Sequence, residues 1–312
     1  MNLRPALENL EPVRKKVAKS KIYGFSFLGL GVLLFLLLFF ALQLDPLIAI
    51  GLAAAPVVTG FIILSIASNA AATYRNTFKR EVIATALRTI DPTLQIQPAY
   101  GIEEQEFIDA QLFNKIPDRY HTEDLVTGKS DKTPFYFAEV HAEYKTETQT
   151  KNGRREHWHT ILKGIVFVAD FNKHFDGLTL IQPRSLAGSF GAWFSKNIYS
   201  FGEQQVVELE SPDFSREFIV YSTDQVEARY LLTPAMMARI CVLNNRCKET
   251  ISLSFFNSKM YIAFPLANNC FEAPVFRSLL ANDVLRRDLE LIGFMFGIIT
   301  ELDLNTRIWT KQ

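Results

Sequence analysis

The residues predict an α+β protein: a two-helix transmembrane hairpin, then a cytoplasmic domain of antiparallel sheet with packed helices. Three observations carry this. Residues 23–44 and 47–68 are apolar stretches without a Lys, Arg, Asp, Glu or His, separated only by Asp45-Pro46. From Tyr120 onward apolar and polar residues alternate with the period of a half-exposed strand. Asn152-Gly153 and Asn257-Ser258-Lys259 sit between such runs as hairpin turns.

Each apolar stretch has roughly 22 residues, about 33 Å at a helical rise of about 1.5 Å per residue. That length crosses a hydrocarbon core of about 30 Å. A soluble core helix is rarely apolar on every face for so long. A cleaved signal peptide fits poorly, because the first stretch lacks an Ala-x-Ala end and a second span follows at once. Arg14, Lys15, Lys16, Lys19 and Lys21 precede the first span; Arg75, Lys79, Arg80 and Arg88 follow the second; the link carries no base. Positive residues stay on the cytoplasmic side, which predicts cytoplasmic N- and C-termini. The hairpin has no internal charge, so it reads as an anchor rather than a channel or carrier. Gly51, Ala53, Ala54, Ala55 and Gly60 are the small residues expected to let the two helices approach, and Pro56 is expected to kink the second.

The expected divisions are residues 1–22 as a cytoplasmic helix, 23–68 as the hairpin, 69–118 as a helical connector and 119–312 as the α+β domain. The helix over 3–21 has bases that enforce topology or touch anionic lipid. Apolar residues at helical spacing run from Phe78 to Ile90 until Asp91-Pro92 stops them, and a short helix is expected over 102–113. Strands are expected at 138–145, 156–170, 178–182, 206–210, 217–222, 251–256 and 260–264. Thr233-Pro234 opens a helix as cap and first residue. The last helix starts near Asn282-Asp283; its unbroken apolar run, 291–299, is too short to span, so it packs on the sheet.

Composition excludes some classes. The formal net charge of the 312 residues is zero, which argues against nucleic-acid binding. Cys241, Cys247 and Cys270 form no zinc pattern and fit a reducing compartment. The 26 Phe residues suit a β-rich core.

No motif assigns a reaction. Gly128-Lys129-Ser130 resembles the end of a phosphate loop, but Glu123 stands where the loop needs its first Gly, and its carboxylate would repel phosphate. Ala187-Gly-Ser189-Phe-Gly191 is one residue from a nucleophile elbow but lies in a Gly-rich loop rather than between strand and helix. Phe190, Trp193 and Phe194 in that loop are candidates for insertion at a membrane surface. With Asn152-Gly153 as the turn, His141 opposes Gly164, His157 opposes Thr148 and His159 opposes Thr146. His141 then lies on one face and the other two on the opposite face, so with Glu139 and Glu143 they form no metal site. Asp170, His174 and Asp176 are catalytic acid/base candidates, although Asp and Asn at such a strand end also cap turns. Asp224, Glu227 and Arg229 read as a salt-bridge set organising a turn. No cofactor is expected.

Three stretches are similar to a bacterial family. They are Leu162-Lys-Gly-Ile-Val-Phe-Val-Ala-Asp-Phe-Asn-Lys-His-Phe-Asp-Gly-Leu-Thr179, residues 218–234 ending in Leu-Leu-Thr-Pro234, and Met260-Tyr-Ile-Ala-Phe264 leading to Cys270-Phe-Glu272. They resemble the domain of unknown function 3137, also labelled galanin-like with no link to the neuropeptide, across most of residues 75–312. The resemblance implies a bacterial inner-membrane protein with an α+β cytoplasmic domain, and it brings no activity or catalytic residues. The expected role is a membrane-tethered interaction or scaffold module, its partners the lipid bilayer and another membrane or cytoplasmic protein. The alternatives are a membrane-anchored enzyme with its site at Asp170–Asp176 and a lipid-surface sensor using residues 188–201.

Overall fold

In the computed structural model, residues 3–150, 153–171, 175–186, 205–281 and 284–304 are described. The chain divides into two compact units, residues 1–89 with 271–289 and residues 90–270 with 290–312.

In the first unit, helix α1 (Arg4–Leu36) runs through a π-helical turn at Leu37–Ala41. Its partner α2 (Pro46–Thr77) continues through a second π-helical turn, Phe78–Ile83, into α3 (Ala84–Ile90). The reversal between them is built by Asp45, whose carboxylate accepts the Leu47 N–H at 2.9 Å, and by Pro46 at the first helical position. The helix expected over residues 3–21 is continuous with the first span. Both helices are long and apolar enough to cross a membrane. Their outer side is not core: Leu33, Phe40, Leu47, Phe61 and Ile66 each leave more than half of their surface uncovered.

Between α1 and α2 runs a seam of seven-residue period. Leu10, Val17, Gly24, Gly31 and Leu38 are buried on one helix, and Ala53, Gly60, Ala67 and Tyr74 on the other. Such a repeat holds two helices together by a left-handed supercoil. The approach is close enough to need glycine: a Cβ on Gly60 would stand 2.9 Å from the Gly24 carbonyl oxygen, and one on Gly31 3.2 Å from that of Ala53. Of the small residues expected at this contact, Ala53 and Gly60 are there. Gly51, Ala54 and Ala55 point outward, because the seam selects one position in seven and they fall between its steps.

The segment 271–289 closes the base of this unit through buried charge. Glu11 accepts both Nε and Nη2 of Arg14, at 2.9 and 2.8 Å, and also the Leu279 N–H at 3.0 Å and the Ser278 hydroxyl at 3.2 Å. Arg14 Nη1 donates to the Val275 carbonyl at 2.7 Å, and the Tyr74 hydroxyl to that of Pro274 at 2.8 Å. The hydrogen bonds from Arg14 hold the Glu11 carboxyl down at about 2, against the opposing effect of burial.

The second unit is built on one antiparallel sheet of nine strands, in the order β1-β2-β3-β4-β9-β8-β5-β7-β6. They are β1 (Gln95–Gln97), β2 (Arg119–Ser130), β3 (Thr133–Thr150), β4 (Gly153–Asp170), β5 (Thr179–Pro183), β6 (Gln205–Val206), β7 (Phe218–Ser222), β8 (Ser252–Phe256) and β9 (Lys259–Pro265). The β8–β9 turn places Asn257 and Ser258 both at positive φ, the twist that matches flanking strands. One face buries Ala138, Val140, Ala142, Leu162 and Val166 under Phe107 of helix α4 (Glu104–Asp109) and Leu112. On the other, Phe135 stacks on Phe167 and meets Phe296 edge-on. Among the described residues, helices α5 (Pro212–Glu217), α6 (Gln225–Leu231), α7 (Pro234–Asn245) and residues 290–301 of α8 (Arg286–Glu301) also belong to this unit. Thr233 caps α7 through the Met236 N–H, as its position before Pro234 predicts. The strand expected over 206–210 is only two residues long here, since Ser211 and Pro212 open α5 instead.

The register of β3 on β4 differs from the expected one. Thr150 pairs with Gly153, and a bulge between Ala142 and Glu143 adds one residue of β4. His141 therefore faces Lys163, His157 faces Thr146 and His159 faces Tyr144. A register set from a turn dipeptide alone misses both shifts, because bulges answer to packing on the sheet.

Candidate functional site

Two strands outrun their neighbours. On its outer side β3 is paired with β2 up to Arg119↔Glu143, and β4 is paired with β9 only from Gly164 onward. Residues 144–160 therefore form a two-stranded arm beyond the sheet. A ribbon with no core is marginal by itself, and polar and ring contacts hold this one together. On one face Glu147 and Glu156 are directly opposite, a like-charge pair that is unfavourable alone. Lys145 reaches both at 3.1 Å and Arg154 reaches Glu147 at 3.3 Å, which reverses the sign. The guanidinium of Arg119 lies over the Trp158 ring at 3.5 Å on that face. On the other face Tyr144 stacks on His159, Thr146 hydrogen-bonds that imidazole at 2.8 Å, and Lys115 sits 5.3 Å from the Tyr144 ring centre.

At the root of the arm, on the Glu147 face, a cavity of about 210 Å³ is lined by His121, Glu123, Glu139, His141, Lys163 and Asn269. The β2–β3 ladder makes it, setting His121 directly opposite His141 and Glu123 directly opposite Glu139. Just after Glu123 the register shifts, and Asp124 is buried there with φ at +60°. Glu123, Asp124 and Glu139 each offer one oxygen, all within 4.8 Å of one another, the donor set a hard divalent cation would use. Glu139 also has a structural task, since its Oε1 accepts the Cys270 N–H at 2.8 Å. His141 lies 3.6 Å from Glu143 and His121 3.9 Å from Glu123. The ladder keeps His141 on the face opposite His157 and His159, as expected, although their partners differ from those expected. His121 was not legible as a neighbour of His141, because β2 carries a bulge and no turn dipeptide.

A second polar group joins α4 to the sheet. Glu106 accepts the Tyr136 hydroxyl and, at 3.0 Å, the Lys259 ammonium, which also donates to Tyr136 at 3.0 Å. Burial raises the Tyr136 and Tyr261 phenols, and Glu106 raises them further. Burial opposes the charge on Lys259, but Glu106, Tyr261 and Asp170 together outweigh it and the ammonium is held more firmly than usual. Both phenols are thus kept neutral and hydrogen-bonding, the state of a structural tie rather than a general base.

Of the residues proposed from sequence as a catalytic group, Asp170 and Asp176 are described and His174 is not. Asp170 ends β4 opposite Lys259 in the ladder. Asp176 is exposed, and its N–H donates to Glu227 at 3.0 Å. His174, like Ser189, Phe190, Trp193 and Phe194, lies outside the described residues. Gly128-Lys129-Ser130 is the end of β2, paired with residues 133–135, so it cradles no ligand. The expected salt bridges among Asp224, Glu227 and Arg229 are replaced by three separate backbone fasteners. Asp224 caps α6, Glu227 accepts the N–H groups of Asp176 and Gly177, and Arg229 donates to the Glu208 carbonyl. Capping satisfies the free N–H groups of a helix start directly, which a side-chain pair would not.

Residues 160–304 match the profile of a family described as Protein of unknown function (DUF3137). This region belongs to that family. The DUF3137 match starts at the root of the arm within β4 and runs past α8, so the helical hairpin and β1–β3 precede it. No curated protein matches the chain. Among solved structures it is similar to the crystal structure of the mycobacterial trehalose monomycolate transport factor A, TtfA. The identity is 10%, the TM-score 0.35, and the alignment covers 75% of this chain and 97% of that one. A likeness at that level bears on neither detailed fold nor function.

Proposed function

We propose that this protein is a membrane-tethered interaction module whose sheet unit presents the 144–160 arm to a protein partner. The observation that carries the reading is the arm itself. Its described residues bury no core, so contact with another molecule accounts for its length. Anchoring rests on the two apolar helices and their uncovered outer residues. The bases at Arg14–Lys21 and Arg75–Arg88, with none in the link, support two crossings of a bacterial inner membrane with both termini cytoplasmic. The alternatives, an enzyme at Asp170–Asp176 and a lipid-surface sensor at 188–201, depend on His174 and on residues 188–201, which lie outside the described residues.

The test is cross-linking and affinity purification of the full-length protein from its host in mild detergent, followed by mass spectrometry. A variant with residues 145–159 replaced by Asn-Gly is run beside it. The expected result is a stoichiometric partner with the wild type and its loss with the short-arm variant. Equal recovery by both, or none by the wild type, defeats the reading. Topology is checked with Gln43→Cys and a membrane-impermeant maleimide, which should react only from the outer side of the inner membrane.

A further inference from the structure

We infer that the arm receives an extended, acidic segment of a partner protein along the outer edge of β4, a proposal that rests on the interaction reading above. The edge is open for a long way. Pairing with β9 begins at Gly164, and the Leu266 N–H takes the Lys163 carbonyl. Among the described residues, 153–162 have β3 on one side and no strand on the other. Nine of them, 154–162, at about 3.3 Å each offer roughly 30 Å of edge backbone with no strand beside it. The matching edge of β3 is shorter, because Asp118 donates its N–H to the Glu143 carbonyl and accepts the Lys145 N–H. Adding a strand to such an edge uses main-chain hydrogen bonds for affinity and alternate side chains for specificity.

The arm's two faces decide the partner's sign. The face of Glu147 and Glu156 is internally neutralised by Lys145 and Arg154. The face of Tyr144, with which Thr146, Thr148, Arg155, His157 and His159 align, carries no carboxylate of the arm, and Lys115 adds a cation at its root. Every second side chain of an added strand would lie beside Arg155, His157 and His159, and acidic residues there complement them. Two permanent cations are too few to bind a nucleic-acid backbone against salt. Thr146 and Thr148 are not the side chains that enter a bilayer surface.

The experiment uses the full-length protein in detergent and a fluorescent peptide of five Glu-Thr repeats, read by anisotropy. Binding is expected, at least tenfold tighter than to five Lys-Thr repeats. Arg155→Glu with His157→Glu should weaken it at least tenfold, while Gln149→Glu on the other face should change it less than twofold. Circular dichroism melts confirm that the variants fold. Absent binding, equal binding of the two peptides, or anisotropy lost equally with Gln149→Glu overturns the proposal. So does capture by phosphatidylglycerol vesicles or polyuridine in place of the peptide. If the peptide fails while the cross-linked partner still vanishes with the short arm, the acidic-edge proposal falls and the interaction module stands. If the partner is also indifferent to the arm, both fall.

Discussion

Replacing Glu11 by Gln tests the charged base of the helical hairpin. The Glu11 and Arg14 side chains expose only 7% and 9% of their surface, so their pairing is weakly screened by solvent. Its carboxyl lies at about 2, against an ordinary value of 4.5. At about 1.4 kcal/mol per unit, the ionised form contributes about 3 kcal/mol to the folded base of this unit, chiefly through Arg14 on the same helix and in smaller part through the Leu279 N–H and the Ser278 hydroxyl of segment 271–289. Because the folded value is depressed, that contribution is whole above about pH 4.5 and fades as pH falls through about 2; near pH 3 about 2 kcal/mol of it is gone. Glu11→Gln keeps the shape but leaves Arg14 buried beside a neutral acceptor, a loss of about 3 kcal/mol or more at pH 7. The assay is amide hydrogen exchange of residues 274–280 in detergent, corrected for intrinsic rates, at pH 7, 4.5 and 3. Wild-type protection should hold from pH 7 to 4.5 and drop by pH 3, by at most about 30-fold because part of the shift belongs to Arg14 on the same helix. The Gln variant should start about tenfold or more less protected, through weakened hydrogen bonds from the Leu279 N–H and Ser278 hydroxyl, and lose this pH dependence. Equal protection of the two proteins at pH 7 would refute the argument.

Other expectations follow from single contacts. A Cβ on Gly164 would stand 2.0 Å from the Phe264 carbonyl oxygen, so Gly164→Ala must push β4 from β9 and should cost about 1–3 kcal/mol in chemical denaturation. The contacts of Gly24 with Gly60 and of Gly31 with Ala53 bring Val17 opposite Ala67. A Val17→Cys, Ala67→Cys pair should therefore form a disulfide readily, and adding Gly60→Leu should suppress it. Thr233→Ala removes the α7 cap and should lower stability by about 1 kcal/mol in a urea melt. Arg119→Ala uncovers Trp158 and should shift its fluorescence to the red, with a stability change of at most about 1 kcal/mol.

Local chemistry explains which elements were legible in the residues. Asp45-Pro46 ends one helix and begins the next by the same capping rules anywhere in a chain. Thr233-Pro234 does so for α7, and Asn257-Ser258 turns β8 into β9 by accepting positive φ. The DUF3137 region was likewise readable, since its long motifs are contiguous. The expected candidate site fared differently. Asp170, His174 and Asp176 are close in sequence; the backbone of Asp170 pairs with Lys259 and the backbone N–H of Asp176 donates to the Glu227 carboxylate fifty-one residues away, contacts that leave their carboxylates unassigned, and His174 lies outside the described residues.

By itself the sequence determined the two long apolar helices, their reversal, the α+β class and most strand positions, because hydropathy period and turn chemistry act over a few residues. Tertiary structure alone decided three things. One residue in seven, rather than the sum of small residues, selects the helix seam, which places Gly24 and Gly31 inside and Gly51 outside. A bulge in β3–β4 and another in β2 set His121 against His141 and shift the arm's pairing. The arm exists because β2 and β9 stop pairing before β3 and β4 do, a difference in strand length that no single strand's residues record. Partners in a ladder are chosen by the whole sheet, and only there does one face of the ribbon gather both carboxylates while the other keeps Arg155 and the two imidazoles.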